Sequence, residues 1–364
     1  MATGTERYSR EVTVALLRVA PQHTYRLYAR PDRLNSPNAL AEQFPGVRVV
    51  PIRARRLWTH IGLAREIAQH PPDALFIPAH VLPWSQVWHR TTRTVVTIHD
   101  VGYEYFPRAH PLRQRLYLKL STALTARFAT SLVVDSMATQ RDVQQFYGVS
   151  ESRVHVAYPG LIPLAAPNHE QACSVLEQYD LGANVPFALY IGTLQPRKNL
   201  RRLLAAWREV LHTWSSDDAP VLVIAGAQGW GGEDLRAEAE LLGVTNHVRF
   251  TGYIHDQAKA VLLRHARVFV FPSLYEGFGL PVLEAQSARV PVVCSNTSAL
   301  PEVAGDGALL IDPLDTAQLS KALRIAMTDS DTRSRLIKAG LANLTRFTWR
   351  HCAEVVLEML ERKD

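Results

Sequence analysis

The chain has 364 residues, of which 47% are hydrophobic and 20% are charged, and it contains no low-complexity stretch. This length predicts two domains of about 150 residues each, and this composition excludes disordered and fibrous proteins. No apolar run reaches the roughly 18 residues that span a bilayer, and the N-terminus lacks the pattern of a signal peptide, so we expect a cytoplasmic protein.

The formal net charge of +6 is unevenly distributed along the chain. Residues 1–160 contain 20 Arg or Lys and 11 Asp or Glu, so the N-terminal half carries the whole excess. Its basic clusters are Arg53, Arg55 and Arg56, and Arg113, Arg115 and Lys119. The basic residues of this half have two interpretations. They either form an ordinary solvated surface, or they attract anionic lipid headgroups or a phosphorylated acceptor. The second interpretation predicts peripheral contact with the inner face of the plasma membrane.

The three cysteines, Cys173, Cys294 and Cys352, are an odd number and are widely spaced. Each lies in or near a periodic apolar segment, and no spacing between them is typical of a metal site or a disulfide framework. The sequence therefore predicts buried, reduced thiols.

Short β-branched runs alternate with helical patterns along the chain, which is typical of parallel sheets with helices on both faces. The predicted strands of the first half are 25–29, 47–52, 74–79, 93–100, 131–136 and 154–157. Those of the second half are 187–192, 221–226, 248–252, 268–271, 290–295 and 308–311. Prolines and Gly160 interrupt the pattern over 158–182. We therefore predict an N-terminal domain over 1–165, a C-terminal domain over 183–343 and a last helical segment over 344–364.

The start of the chain departs from this scheme. A predicted helix over 10–19 follows the segment Gly4-Thr5-Glu6-Arg7-Tyr8 directly, and no strand precedes that segment. A doubly wound domain normally begins with a strand that turns into a glycine-containing loop. We therefore expect either a late chain start or a first domain that lacks one strand.

The next candidate is His99, which follows the apolar run 94–98 together with Asp100. The carboxyl ends of parallel strands are where ligands bind in open α/β sheets. A histidine at this edge either binds a ligand or has a structural role, and its position alone does not decide between the two.

A basic loop follows the predicted strand 187–192. Gly192 lets the backbone approach a ligand closely, and Arg197 with Lys198 adds two cations before a helix begins near Leu200. Such cations neutralise the charge that grows on a departing diphosphate. The alternative is an ordinary exposed basic loop.

The most informative segment is residues 271–285. The predicted strand is followed by a loop that contains Gly277, Phe278 and Gly279 and leads into a helix at Leu280. Pro281 suits the first turn of a helix, and the loop amides at a helix N-terminus form an anion site.

Two acids flank this glycine loop. Glu284 lies one turn into the helix, where its carboxylate can accept hydrogen bonds from a vicinal diol such as a ribose, and Glu276 lies on the loop. The alternative is a strand-loop-helix unit with two surface acids.

Two glutamates that are separated by seven residues around Gly-Phe-Gly resemble the signature of glycosyltransferase family 4. The resemblance covers nearly the whole chain and is most specific over residues 187–307. It implies an α/β protein of the GT-B class, in which two Rossmann-like domains face a cleft and the last helix packs back on the first domain. One departure is Arg289, which stands where a glycine is usual. Glycine is preferred at the C-terminal end of a helix because it adopts the left-handed backbone conformation that often occurs there.

The resemblance also implies roles for the candidate residues. Glu276 would contact the donor sugar, Glu284 the ribose, and His99 the donor sugar from the other domain. The loop of Gly192 with Arg197 and Lys198 would bind the donor phosphates. The other donor-binding residues would be Gly277, Phe278, Gly279 and Leu280, and the acceptor-side loop would contain Gly4, Thr5 and Tyr8.

The implied reaction is retaining transfer of a hexose to a glycan or lipid-linked acceptor in cell-surface polysaccharide synthesis. The donor would be GDP-mannose in the first place and a UDP-hexose in the second. We expect no cofactor and no metal, because two cations lie in the phosphate loop and no Asp-x-Asp ends a predicted strand.

Two other functions stay open, namely another GT-B enzyme such as a nucleotide-sugar epimerase, and a non-catalytic protein that binds a nucleotide sugar or a membrane. A NAD-dependent dehydrogenase is disfavoured, because no Gly-x-Gly-x-x-Gly follows a strand at the start of either domain. Nucleic-acid binding is disfavoured because the basic surface lacks interleaved aromatic residues.

Overall fold

The structure is a computed structural model. It describes residues 4–54, 57–79, 81–83, 85–88, 92–107, 111–182, 185–214, 219–229 and 234–362. Arg55 and Arg56 of the first basic cluster lie outside the described residues. The chain divides into two compact units: unit 1 is Met1–Gly160 with Phe347–Asp364, and unit 2 is Leu161–Arg346. None of the described helices combines the length and the apolar character that crossing a bilayer requires.

All the predicted strands are present, and their observed ends differ from the predicted ones by two residues or fewer. In unit 1 they are β1 (Tyr25–Ala29), β2 (Val47–Pro51), β3 (Ala74–Ile77), β4 (Arg93–Ile98), β5 (Ser131–Val134) and β6 (Val154–Val156). In unit 2 they are β7 (Phe187–Ile191), β8 (Val221–Ala225), β9 (Val248–Gly252), β10 (Val268–Phe271), β11 (Val292–Ser295) and β12 (Ala308–Ile311).

Helices connect these strands. Those of unit 1 are α1 (Gly4–Val19), α2 (Asn35–Gln43), α3 (Ala64–Gln69), α4 (Ser85–Trp88), α5 (Gly102–Tyr105), α6 (Leu112–Phe128), α7 (Met137–Tyr147) and α16 (Trp349–Glu361), with a π-helical turn at Trp58–Leu63. Those of unit 2 are α8 (His169–Gln178), α9 (Leu200–His212), α10 (Leu235–Leu241), α11 (Asp256–His265), α12 (Leu280–Ser287), α13 (Leu300–Ala304), α14 (Thr316–Thr328) and α15 (Ser330–Asn343). Short 3₁₀ turns lie at Pro31–Arg33, Glu151–Arg153, Pro196–Lys198, Thr245–His247, Gly305–Gly307 and Leu344–Arg346.

Every described strand pairs in parallel with its neighbours. In the described part of unit 1, the strands form a sheet of order β3-β4-β5-β6 and a separate pair β1-β2. In the described part of unit 2 they form one sheet of order β12-β11-β10-β7-β8-β9. This order reverses direction between β7 and β10, as in a doubly wound nucleotide-binding fold.

The central strands of unit 2 are apolar because helices cover both faces of the sheet. All five residues of β8 and all four of β10 are buried. The amphipathic helix α9 buries Leu200, Leu203, Leu204 and Trp207, which recur at helical spacing on one face. A continuous apolar strand of this kind is typical of a parallel sheet between two helical layers.

In unit 1, α1 and α16 pack together against the middle of the sheet. Tyr8, Val12 and Leu16 of α1 share a core cluster with Val356 and Met359 of α16, and Val95 of β4 and Val133 of β5 complete it. The side chain of Thr348 caps the N-terminus of α16 by accepting from the His351 backbone N–H. The last helix therefore belongs to the core of unit 1.

The predicted loop conformation at Gly4, Thr5 and Tyr8 is wrong, because these residues form the first turns of α1. Their acceptor-side role stays a prediction. The helical repeat of buried residues extends back to Tyr8, which is only 3% exposed and whose hydroxyl lies 3.3 Å from Thr97 Oγ1. Burial of this aromatic ring favours helix over loop at this end of the chain.

The prediction for the cysteines is correct in two cases and wrong in the third. Cys294 in β11 and Cys352 in α16 are buried, whereas Cys173 is exposed. Cys173 lies on the outer face of α8, since this helix buries its neighbours Ala172 and Val175 instead.

Candidate active site

The candidate residues of unit 2 lie where the strand order reverses. The loop after β7 contains Gly192 and residues 193–199, and the loop after β10 contains residues 272–279. Because β7 and β10 are adjacent and parallel, both loops leave the sheet at the same edge. Helices after the two strands diverge at such a point, and the space between them is the usual ligand site of an open α/β sheet.

Local geometry explains the glycine loop before α12. Gly279 has φ +109°, and a Cβ at this position would lie 2.7 Å from Leu300 Cδ2, so both conformation and packing require glycine. The helix then begins at Leu280 with a proline in its first turn. Phe278 is buried, which anchors the loop against unit 2.

The two cations of the β7 loop meet the first predicted acid of the β10 loop. Arg197 Nη1 lies 3.0 Å from Glu276 Oε2, and Lys198 Nζ contacts Glu276 Oε1. The side chains of Lys198 and Glu276 are 8% and 9% exposed, whereas that of Arg197 is 27% exposed. One carboxylate therefore contacts two cations, and the group of three side chains carries a net charge of one positive unit.

Backbone hydrogen bonds hold the two loops together at this group. The Leu274 N–H donates to the Arg197 carbonyl at 2.8 Å, and the Arg197 guanidinium donates to the Tyr275 carbonyl at 2.9 Å. Asn199 Nδ2 donates to the Pro272 carbonyl at 3.1 Å. These contacts fix the positions of both cations before any ligand binds, which is the condition for electrostatic catalysis.

Glu276 is ionised in this environment. Burial alone would raise the pKa of Glu276, but the charges of Lys198 and Arg197 outweigh burial and hold the pKa below its usual range. The Glu276 backbone N–H also donates to Ser298 Oγ at 2.9 Å. The carboxylate is thus held in one place by its charge partners and by its own backbone.

The second acid has a partner that the sequence did not indicate. Glu284 in α12 accepts from Lys259 Nζ at 2.7 Å, and both side chains are about one-tenth exposed. Lys259 lies on α11, which precedes β10, and its position in an amphipathic helix carries no local signal of a site. The carboxylate of Glu284 therefore has a fixed direction.

The glycine at the end of β7 has a packing reason of its own. A Cβ at Gly192 would lie 2.6 Å from the Tyr190 hydroxyl, and a Cβ at Gly226 would lie 1.8 Å from the Gly192 carbonyl oxygen. Close approach of the backbone at Gly192 requires a glycine at position 226, whereas the Tyr190 hydroxyl occupies the space of a Cβ at Gly192. This packing accounts for Gly192 independently of a ligand.

In unit 1, His99 lies directly after β4, at the edge that the sequence predicted. Its Nδ1 is 2.7 Å from Asp135 Oδ2 and its Nε2 is 3.1 Å from the Pro78 carbonyl oxygen. The ring centroids of Tyr8 and His99 lie 4.7 Å apart in an edge-to-face arrangement. Both ring nitrogens thus lie within hydrogen-bonding distance of oxygen atoms, an arrangement that favours the doubly protonated ring.

Burial lowers the pKa of His99, but the carboxylate of Asp135 and the Pro78 carbonyl outweigh it, so the pKa is raised overall. Sequence reasoning missed Asp135, although a signal was available. Asp135 follows β5 as His99 follows β4, and Ile98 pairs with Val134, so the two side chains start from the same sheet edge.

Two family models match the chain. The one described as Glycosyltransferase Family 4 matches residues 2–163, and the one described as Glycosyl transferases group 1 matches residues 176–342.

The O-antigen chain mannosyltransferase B of Escherichia coli is 35% identical over 265 residues, which cover 72% of this chain and 69% of that protein. The serotype-specific mannosyltransferase WbdA of Escherichia coli is 26% identical over 292 residues, which cover 79% of this chain but only 34% of that protein. This chain thus spans about a third of the length of WbdA. Among solved structures, HepE of Anabaena in complex with UDP and glucose superposes with a TM-score of 0.73 at 18% identity, over 100% of this chain and 97% of that chain.

Proposed function

The chain belongs to glycosyltransferase family 4 and has the GT-B fold, and from that premise we propose that it transfers a hexose from a nucleotide-diphosphate sugar to a glycan or lipid-linked acceptor. The observation that carries the proposal is the group of Arg197, Lys198 and Glu276 at the reversal point of the unit 2 sheet. A preorganised positive charge at this edge suits a departing diphosphate.

The proposed donor is GDP-mannose, with a UDP-hexose as the second choice. The mannose proposal is supported by the 35% identical relative, whose name is that of a mannosyltransferase acting on an O-antigen chain. The same name supports a saccharide acceptor in cell-surface polysaccharide synthesis. Peripheral contact with the inner face of the plasma membrane belongs to this proposal, because the excess positive charge lies in residues 1–160.

We assign roles within unit 2 as follows. Arg197 and Lys198 stabilise the negative charge that grows on the leaving diphosphate, and Glu284 accepts hydrogen bonds from the ribose hydroxyls. Glu276 orients both cations and contacts the donor sugar. The backbone of Gly277–Leu280, at the N-terminus of α12, adds dipoles that favour an anion. His99 of unit 1 is the proposed hydrogen-bond partner of the donor sugar, which would replace the Pro78 carbonyl as the partner of His99 Nε2.

The proposed step retains the anomeric configuration. The bond from the sugar C1 to the diphosphate oxygen breaks, and the acceptor hydroxyl oxygen bonds to C1 from the same face. The proton of that hydroxyl passes to the leaving phosphate oxygen, which is the base that the step itself generates. The positive charge of Arg197 and Lys198 supports a reaction without a metal ion, because it supplies the electrostatic stabilisation that a divalent cation would provide.

The first test is a panel of GDP- and UDP-sugars in a thermal-shift assay, since a ligand at 100 times its Kd adds about 2.7 kcal/mol of stability. We expect a selective shift with GDP-mannose. The same donor with saccharide acceptors should then give a glycoside whose anomeric configuration is read by NMR. A product formed from donor alone would support an epimerase instead, and strict dependence on added Mn²⁺ would contradict the metal-free step.

The ribose assignment has its own test. Glu284→Ala should weaken donor binding by about 1.5 to 3 kcal/mol, the range for a lost hydrogen bond to a charged group. The matched control is Glu240→Ala on α10, an exposed acid in the same unit, which should leave binding unchanged. Equal donor affinities of the two variants by calorimetry would exclude Glu284 as the ribose ligand.

A further inference from the structure

The loop after β11 supports the loop that carries Glu276. The Glu276 backbone N–H donates to Ser298 Oγ at 2.9 Å, and the Ala299 N–H donates back to the Glu276 carbonyl at 3.4 Å. Thr297 Oγ1 donates to the Leu274 carbonyl at 3.3 Å. Three successive residues therefore hold both the N–H and the carbonyl of the residue whose carboxylate contacts the two cations.

Ser298 has a backbone conformation that serine seldom adopts. Its φ is +53°, in the left-handed region that favours glycine. The hydroxyl is bonded in both directions, since Oγ accepts from the Glu276 N–H and donates to the Thr297 carbonyl at 2.7 Å. Strained backbone of this kind is concentrated at functional sites, where the surrounding contacts hold it in place.

A second left-handed residue holds the same loop from the opposite side. In the described sheet of unit 2, β7 and β11 flank β10. Asn199, in the loop after β7, has φ +61°, and its Nδ2 donates to the Pro272 carbonyl at 3.1 Å. Asparagine adopts this conformation more readily than most residues, whereas serine does not. The strain at Ser298 is therefore the less ordinary of the two.

We propose that Ser298 is a positioning residue for the transfer reaction, because its hydroxyl fixes the backbone of Glu276. Through this backbone the carboxylate keeps Arg197 and Lys198 in place beside the departing diphosphate. Electrostatic stabilisation needs charges that are in position before the reaction, so a small shift of this group lowers the rate. The inference rests on the proposed function and adds to it a residue from a third loop of unit 2.

Three variants separate positioning from stability. Ser298→Gly removes the hydroxyl and relieves the left-handed backbone at the same time. Ser298→Thr keeps the hydroxyl but adds a β-branch, which a positive φ disfavours. The matched control is Arg289→Gly, which relieves a φ of +62° at an exposed residue of the same unit, at the end of α12.

The first assay follows GDP release from GDP-mannose with methyl mannoside as the acceptor, together with thermal unfolding. We expect Ser298→Gly to melt within about 3 °C of the wild type, because the lost hydrogen bond and the relieved strain offset each other. Its kcat should fall about tenfold while its KM for GDP-mannose stays within about twofold, since the positioned charge acts on the transition state.

The other two variants should behave differently. Ser298→Thr should melt at a lower temperature but keep kcat within about twofold of the wild-type value, because the hydroxyl remains. Arg289→Gly should keep both kinetic constants within about twofold. A purely structural role of Ser298 would instead make kcat independent of the hydroxyl in every variant that folds.

A second assay tests the contact without a donor. Backbone hydrogen exchange is measured by mass spectrometry over residues 272–279. Exchange at Glu276 should be about tenfold faster in Ser298→Gly than in the wild type or in Arg289→Gly, because the N–H loses its acceptor.

Unchanged exchange at Glu276 in Ser298→Gly would overturn the proposal, whether or not a donor binds. Equal kcat of Ser298→Gly and a wild type that releases GDP would refute the positioning role alone and leave the proposed function intact. A folded Ser298→Thr that is as slow as Ser298→Gly would also overturn it. A wild type that releases no GDP, with faster exchange in Ser298→Gly, refutes the proposed function, and the role of Ser298 in transfer is refuted with it.

Discussion

Replacement of Glu276 by Gln tests whether this carboxylate is the counter-charge of the two loop cations. Glutamine keeps the shape and one oxygen acceptor but removes the negative charge beside Lys198, whose side chain is 8% exposed. Breaking a buried ion pair costs about 3 to 5 kcal/mol, and the retained oxygen recovers about 1 kcal/mol as a neutral hydrogen-bond acceptor. We therefore expect Glu276→Gln to lower the free energy of unfolding by about 2 to 4 kcal/mol at neutral pH.

The assay is urea-induced unfolding followed by tryptophan fluorescence, with Glu238→Gln as the matched control. Glu238 pairs with Arg201 on the surface, where the arginine side chain is 57% exposed, so its loss should cost less than about 1 kcal/mol. The reasoning is refuted if both variants lose the same stability.

The difference in unfolding free energy between the wild type and Glu276→Gln should depend on pH, because the pKa of Glu276 is lowered. A lowered pKa contributes stability that is present above the pKa of the unfolded chain and lost as the pH falls through the folded pKa. The stability difference between wild type and Glu276→Gln should therefore be constant near neutral pH and should narrow in acid.

A nucleoside diphosphate should raise the melting temperature of Glu276→Gln more than that of the wild type, because the charge of the diphosphate replaces the missing carboxylate. An equal shift would contradict the assignment of Arg197 and Lys198 to the phosphates.

Three further predictions concern backbone conformation and protonation. Arg289 has φ +62° at the exposed end of α12, a left-handed backbone conformation that glycine adopts more readily. Arg289→Gly should therefore stabilise unit 2 by about 1 kcal/mol, measured as a rise in melting temperature. An unchanged melting temperature would mean that the left-handed backbone costs nothing at this position. Gly279→Ala should destabilise the fold by about 1 to 3 kcal/mol in urea unfolding because of its positive φ and the contact with Leu300, whereas Gly4→Ala, with no atom within 4 Å of the added Cβ, should not. His99 has a raised pKa, so its charged form contributes stability that is present below the ordinary histidine pKa and is lost as the pH rises through the folded pKa. Asp135→Asn should move this loss of stability to lower pH. An unchanged NMR titration of His99 in this variant would show that Asp135 does not raise the pKa of His99.

Local pattern was sufficient to identify the secondary structure of most of the chain. Short apolar β-branched runs such as residues 221–225 predict buried strands, and the observed β8 has these bounds. The glycine loop at Gly277 and Gly279 with its proline also predicted a strand-loop-helix unit, because backbone conformation at these residues is restricted locally. The same pattern failed at Gly4–Tyr8, where burial of Tyr8 against other elements of unit 1 extends the helix.

Partners that are distant in the sequence needed the tertiary structure. Lys259 beside Glu284 has no local signature, because this contact depends on which elements are neighbours. The position of Asp135 directly after β5 is a sequence signal, but the contact with His99 follows from it only because β4 and β5 are adjacent.

The sequence by itself determined the parallel α/β class, the strands and the residue types in the two loops of unit 2, because these depend on periodicity and on local backbone restrictions. Only the tertiary structure decided that β7 and β10 are adjacent and that Arg197 and Lys198 therefore meet Glu276. The physical reason is that strand order depends on the packing of helices on both faces of the sheet, a long-range balance of buried area that no window of the sequence contains.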